Sequence, residues 1–224
     1  MKRLIAFDVD STLLRVESLD TAIEHALSGR DDRAEISEQL HALTQAGMTG
    51  RMELRDSLTQ RLAIIPLDRG DIAQVSERLR RQVTPGMKPL LSQLREQGDE
   101  CHAISGGFTD LLEPVLSDLG FGRGEIHANS MLYDGPTVTG LDLDNPLSRN
   151  GGKAEILGRI GARAEQTVMV GDGMTDFEAY EQGAADRFIG FGVIAQREVV
   201  LAAAEHSGAE YVRSMDALMT ALRR

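Results

Sequence analysis

Cysteine is nearly absent from this chain. Cys101 is the only one among 224 residues, so no internal disulfide can form, and a reducing cytoplasm is the simplest setting. Its neighbours, Glu100 to Ile104, read as a strand, which makes the thiol a buried structural group rather than a nucleophile. Long apolar runs are missing too: no window reaches the roughly 18 residues of a membrane span. The apolar run after Lys2 and Arg3 meets Asp8 too early for a signal peptide. Positive charge is in deficit, with 24 Lys and Arg against 35 Asp and Glu and a formal charge of −11. That argues against nucleic acid as a partner, because nucleic acid is bound through basic surfaces. The histidines at 25, 41, 102, 127 and 206 show no metal-ligand spacing. There is no internal repeat, low-complexity tract or flexible linker. What remains, 42% apolar and 26% charged residues, is the composition of a globular protein, long enough for one domain or one domain with a smaller insertion.

The rest of the chain is organised around Leu4-Ile5-Ala6-Phe7-Asp8-Val9-Asp10-Ser11-Thr12. A short apolar run bounded by polar residues reads as a buried strand. Asp8 and Asp10 then fall at its C-terminal end, pointing the same way because side chains alternate. In parallel α/β sheets ligands bind beyond that end. Two such carboxylates repel unless a cation or a shared proton compensates them. Taken alone, Asp, Ser and Thr at this place could equally be helix-cap or turn residues.

Residues 18 to 81 read as four helices, with apolar stripes at Leu19, Ala22, Ile23, Ala26 and Leu27, at Ile36, Leu40 and Leu43, at Leu54, Leu58 and Leu62, and at Ile72, Val75 and Leu79. Gly29 can end the first. These stripes are core. Thr84-Pro85-Gly86 punctuates the chain, and helix and strand alternate after it: a helix at 87–98, a strand at 100–104, and a helix at 111–119 that Pro114 should kink or delay. Tyr133-Asp134-Gly135 signals a hairpin. Helix 154–160, strand 167–170, a helix from Thr175, strand 187–189, a helix from Gln196, strand 210–212 and helix 214–222 complete the chain. This alternation predicts a mostly parallel, doubly wound α/β sheet.

Four polar clusters fall at or near predicted strand ends: Asp8/Asp10, Ser105-Gly106-Gly107, Lys153 behind Gly151-Gly152, and Asp172 with Asp176. Each has a task in moving a phosphoryl group. Asp8 and Asp172 supply the hard oxygen ligands that Mg²⁺ prefers. One carboxylate can attack phosphorus and a second can protonate the departing alkoxide. Ser105 and the backbone N–H groups after it can bind phosphoryl oxygens, and Lys153 adds a point charge.

Asp8-Val9-Asp10-Ser11-Thr12, Ser105-Gly106-Gly107-Phe108, Gly152-Lys153 and Gly171-Asp172-Gly173-Met174-Thr175-Asp176 resemble the four motifs of the haloacid dehalogenase superfamily, in the order and spacing of its phosphoserine phosphatase branch. The resemblance covers nearly the whole chain; its first and fourth motifs together are highly specific, while Ser-Gly-Gly or Gly-Lys alone is weak. It implies an α/β core of residues 1–14 and 82–224 and a mobile α-helical cap of residues 15–81. It makes Asp8 the nucleophile and Asp10 the general acid/base. Magnesium is then held by Asp8, the main-chain carbonyl of Asp10, and Asp172, with Asp176 in support. Glu17 falls where that branch binds the substrate's amino group, Arg61 where it binds the carboxylate, Met48 at a substrate-lining position and Thr175 on the phosphate side; Phe191-Gly192 and Arg197 resemble the segment after the fourth motif, which counts Arg197 among the substrate-binding residues. A zwitterion in a dry pocket needs one negative and one planar positive partner; without the resemblance, Glu17 and Arg61 would read as solvated helix charges. Two positions depart from the pattern, Leu54 in place of a phenylalanine and Thr49 in place of a small residue. The implied activity is Mg²⁺-dependent hydrolysis of O-phospho-L-serine through an aspartyl phosphate, the last step of serine biosynthesis, by a monomer or homodimer. The alternatives are phosphoryl transfer to an alcohol such as homoserine, hydrolysis of another small phosphate ester, and a non-enzymatic binding protein that kept the fold.

Two look-alikes are set aside. Gly190-Phe191-Gly192-Val193-Ile194-Ala195 fits a dinucleotide fingerprint, but too little chain follows it for a nucleotide-binding half. Arg149 to Ala154 lacks the early glycine and the hydroxyl of a P-loop.

Overall fold

The computed structural model describes residues 3–224; Met1 and Lys2, at the start of the expected first core segment, lie outside them. Strand β1 (Arg3–Phe7) is the centre of a six-stranded parallel sheet. The chain first winds to one side, through β2 (Glu100–Phe108) to β3 (Ile126–Asn129). It then returns to the other side of β1 through β6 (Gln166–Gly171), β7 (Arg187–Phe191) and β8 (Glu210–Val212). The direction of winding reverses between β1 and β6, where Phe7 pairs with Val170. A crevice opens at such a switch point, beyond the strand ends.

The alternation of β1 explains the two helical layers. Ile5 and Phe7 belong to the apolar cluster that includes Leu91 of α5 (Met87–Glu96), Leu112 of α6 (Thr109–Asp118) and Leu218 of α10 (Met215–Leu222). Leu4 and Ala6 face the other cluster, with Leu157 of α7 (Gly152–Gly161), Phe177 of α8 (Met174–Glu181) and Val200 of α9 (Glu198–Ser207). A strand with both faces covered must be apolar throughout, and each large side chain buried this way contributes about 1.5–3 kcal/mol.

Four helices lie between β1 and α5: α1 (Ser18–Ala26), α2 (Arg33–Met48), α3 (Leu54–Leu62) and α4 (Arg69–Leu79). The chain leaves and returns through a narrow neck. Leu14 and Val83 form an antiparallel bridge, the Arg15 N–H donates to Gln82 O at 2.8 Å, and the Thr84 N–H donates to Leu13 O at 2.8 Å. The inner pair, α1 and α4, shares its apolar face with the main core: Leu19, Ile23, Ile72, Val75 and Leu79 join the cluster of Leu111 and Leu112. Ser76 Oγ also donates to Leu111 O at 2.9 Å, in the buried seam. The outer pair joins the same cluster through Leu40 and Leu58 and adds polar contacts to the rest of the molecule. Leu54 N–H donates to Asn150 Oδ1, Arg55 to Leu143 O and Ser148 Oγ, and Arg197 to Gln45 Oε1.

Two sequence expectations change in detail, and a third is met. Strand β2 does not stop at Ile104 but runs to Phe108, with its register against β3 shifting between those residues, so Ser105-Gly106-Gly107 is an irregular strand segment. Pro114 does not delay its helix, which starts at Thr109 and runs through it. The hairpin β4 (Met131–Asp134) and β5 (Thr137–Leu141) forms where Tyr133-Asp134-Gly135 indicates, and it leans on the inserted helices. Arg69 lies 3.7 Å from the centre of the Tyr133 ring, and Val138 N–H donates to Leu67 O at 2.9 Å. The dinucleotide look-alike has a packing origin. A Cβ at Gly190 or Gly192 would lie 2.4–2.5 Å from atoms of the Tyr211 ring, so the glycines make room for that side chain. Among the described residues no helix is long and apolar enough to cross a membrane.

Candidate active site

Asp8 follows β1 directly, and its N–H donates to Val170 O at 2.8 Å, which extends the β1–β6 pairing to the crevice. The chain then turns sharply through Val9–Leu13. Ser11 adopts φ +54°, the only non-glycine in the left-handed region among the described residues. That conformation costs roughly 1–2 kcal/mol. It is held by the Ser11 N–H on Val16 O and by Ser11 Oγ donating to Glu17 Oε1 at 2.8 Å. The strained turn buries Asp10 beside Asp8 and swings Glu17 back over both.

Asp8, Asp172 and Asp176 are all buried, and each offers a carboxylate oxygen within 4.8 Å of the others. Gly171 makes the third approach possible, because a Cβ there would fall 2.2 Å from Asp176 Cγ. Two cations answer them. Lys153, in the first turn of α7, donates to Asp8 Oδ1 and Asp176 Oδ1 at 2.6 Å each. Burial alone would lower its pKa, but the carboxylates of Asp176 and Asp8 outweigh that and hold it protonated. Arg197 donates through Nε to Asp172 Oδ2 at 2.7 Å and through Nη2 to Glu17 Oε1 at 3.4 Å.

Five buried or nearly buried carboxylates (Asp8, Asp10, Glu17, Asp172 and Asp176) thus face two cations. The excess negative charge must be met by protons or by a further cation. Burial pushes Asp10 and Asp172 well above the usual carboxylate range, Asp176 up to about 7, and Glu17 upward. An all-oxygen donor set with surplus negative charge is what a hard divalent cation fits. The triad could hold one.

Asp10 has two unlike oxygens. Oδ2 accepts from Ser18 Oγ at 2.8 Å, whereas Oδ1 is buried and has no partner. Ser105 Oγ accepts from Gly107 N–H at 2.9 Å. Asn129 Nδ2 donates to Gly106 O and to Leu147 O, at 2.8 and 3.0 Å, and so fixes the Gly-Gly segment to the turn before Lys153. Leu54 covers this floor, with Cδ2 3.5 Å from where a Cβ on Gly106 would lie.

A pocket gathers most of the sequence-derived residues on its wall: Asp8, Asp10, Glu17, Met48, Arg61, Ser105, Gly106, Gly107, Lys153, Thr175 and Asp176. Asp172 is buried behind it. Arg197 is elsewhere, tying Asp172 and Glu17 together from the back and lining a separate groove with Gln45 and Thr49. Arg61 is not free either, since Asp20 holds it. Sequence reading passed over Asp20, Ser18, Thr12 and Asn129, all of which touch named site residues. Only Asp20 carried a signal, being an acid in the first turn of the helix that Glu17 precedes.

The chain matches the family described as haloacid dehalogenase-like hydrolase over residues 5–181. It is 33% identical over 217 residues to a phosphoserine phosphatase of Bos taurus, covering 96% of this chain and 92% of that protein. To a phosphoserine phosphatase of Mycobacterium tuberculosis it is 34% identical over 211 residues, 92% of this chain and 48% of that longer protein. The crystal structure of a phosphoserine phosphohydrolase-like protein from Francisella tularensis aligns with a TM-score of 0.85 at 29% identity, covering 98% of this chain and 99% of that one. The fold with acids crowded at its switch point has its place accordingly: the protein belongs to the haloacid dehalogenase-like hydrolases.

Proposed function

We propose that the protein hydrolyses O-phospho-L-serine to L-serine and phosphate, with the phosphoryl group carried transiently on Asp8. The observation that carries this reading is the pairing of unlike carboxylates at one end of the pocket: Asp8 with one oxygen anchored by Lys153, beside Asp10 with a buried oxygen free of any partner. An anchored carboxylate attacks in a fixed direction, and an unpartnered one beside it can deliver a proton. The names of the relatives support the choice of substrate.

Asp8 attacks phosphorus, and the bond from phosphorus to the serine oxygen breaks. Asp10 passes its proton to that oxygen. Once serine has gone, Asp10 takes a proton from water, whose oxygen attacks phosphorus and frees Asp8 and phosphate. Ser105 Oγ, Lys153 and the Gly106 N–H bind the phosphoryl oxygens throughout. A magnesium ion bound by Asp8, the Asp10 carbonyl and Asp172, with Asp176 beside them, would supply charge stabilisation to the phosphoryl oxygens. Glu17 receives the substrate's ammonium. Arg61 receives its carboxylate through Nη1, the guanidinium nitrogen that Asp20 leaves open. Residues 15–81 act as the cap, with its outer helices α2 and α3 over the pocket.

Phosphate release should be measured with Mg²⁺ over phosphoserine, phosphothreonine, phosphohomoserine and an aryl phosphate. Phosphoserine should be the best substrate, and Asp8→Asn should abolish turnover, because an amide is a poor nucleophile. Turnover near the wild-type rate in Asp8→Asn, or full activity in excess EDTA, would sink the reading.

A further inference from the structure

Arg61 sits in the last turn of α3, its side chain nearly buried, and its orientation is set by a residue outside the pocket. Asp20, on α1, accepts through one oxygen, Oδ1, from Arg61 Nε at 3.0 Å and from Nη2. Its other oxygen, Oδ2, accepts from Thr44 Oγ on α2 at 2.7 Å. Three helices of the insert therefore meet in one small polar cluster. Thr44 and Arg61 line the pocket, whereas Asp20 does not.

A free arginine side chain samples many rotamers, and a pocket that depends on one of its edges must select among them. A carboxylate that takes Nε and Nη2 fixes the plane of the guanidinium and leaves a single nitrogen, Nη1, to a ligand. The opposing hydrogen bond from Thr44 fixes the carboxylate in turn. Asp20 also cancels the net charge of Arg61, so what Arg61 offers is directional donation more than long-range attraction.

We propose that Asp20 is a positioning residue for Arg61, aiming its Nη1 edge at the carboxylate of the amino-acid substrate. This rests on the phosphoserine reading above. Acting through Arg61 rather than on phosphorus, Asp20 should govern KM for phosphoserine more than kcat.

The test compares kcat and KM on phosphoserine and on p-nitrophenyl phosphate, which has no carboxylate, for wild type, Asp20→Ala, Asp20→Asn and Arg61→Ala, with thermal midpoints alongside. Asp20→Ala should raise KM for phosphoserine about tenfold, with a smaller change in kcat, and lower the phosphoserine-to-aryl-phosphate ratio of kcat/KM by about the same factor. Asp20→Asn keeps an oxygen acceptor at Oδ1 and should recover most of that ratio. The proposal is overturned if Asp20→Ala holds the ratio within about twofold of wild type, or if Asn is as poor as Ala. It is equally overturned if both substrates fail together with a drop in thermal midpoint, which would make Asp20 a structural staple. A wild-type preference lost in Arg61→Ala but kept in Asp20→Ala refutes Asp20 alone. A wild type without that preference removes the phosphoserine reading and this inference with it.

Discussion

Asp10 carries the sharpest residue-scale contrast in the molecule. One oxygen is bound by Ser18, the other is buried without a partner, and burial together with the charges of Glu17 and Asp8 raises its pKa well above the ordinary value. It therefore keeps a proton that an exposed aspartate would lose. Asp10→Asn should slow phosphoserine, whose alkoxide needs that proton, by about 10²–10⁴, while slowing an aryl phosphate far less. Equal losses on both substrates would make Asp10 a structural or metal-side residue. At this scale the sequence was legible wherever chemistry clusters along the chain: Asp8 with Asp10, Asp172 with Asp176, and Lys153 behind its glycines. It was silent where a partner arrives from another helix. Nothing in the sequence pairs Asp20 with Thr44 and Arg61, and nothing marks Arg197 as a rear brace, because those contacts exist only after the insert has packed.

At the scale of elements, strands and helices followed from apolar periodicity, and the misreadings came from tertiary overrides. The glycines after Ile104 look like a loop, yet pairing with β3 resumes at Phe108 and carries β2 onward. Pro114 breaks one hydrogen bond of α6, but Leu111, Leu112, Val115 and Leu116 are all buried around it, and that packing outweighs the local penalty. A different tension lies between β2 and β3. His102 Nδ1 and His127 Nε2 are 3.1 Å apart, with the rings stacked. Burial, then His102, then Arg159 push His127 down to about 4; burial also lowers His102, against the opposing pull of Glu125 and Glu100. A folded-state pKa below that of the unfolded chain means the unfolded state binds more protons between the two values. The pair therefore costs no stability above about pH 6.5, and the fold loses stability progressively as pH falls from there toward 4. Denaturant unfolding of wild type and His127→Gln at pH 7.5, 6 and 5 should show a shallower decline in the variant. Parallel curves would place the acid sensitivity elsewhere.

For the whole molecule, the decisive feature is the switch point. Reversal of winding between β1 and β6 puts Asp8 and Asp172 on adjacent strand ends, and residues 160 positions apart become neighbours, as in the Thr12–Asp172 hydrogen bond. Alternating helix and strand made that architecture legible; the sharing of one core by α1, α4 and α6 was not, since apolar stripes do not name their partners. Surplus charge concentrated at the switch point should be relieved by a divalent ion. Magnesium at 100 times its dissociation constant should stabilise the fold by about 2.7 kcal/mol, read as a rise in thermal midpoint over the EDTA-treated protein. Asp172→Asn should show a smaller rise, and an equal rise would move the metal away from the triad.

The pocket wall itself sets the scope of the chemistry. It is lined by residues from the sheet ends and from α2 and α3, and in the function proposed above Glu17 and Arg61 on it meet the two charged ends of a free amino acid. A phosphoserine within a polypeptide has neither end, since its nitrogen and its carbonyl carbon are both amides. On the proposed reading, a clamp for those two ends separates metabolite from signalling mark, and a phosphorylated peptide should be a far poorer substrate than the free amino acid.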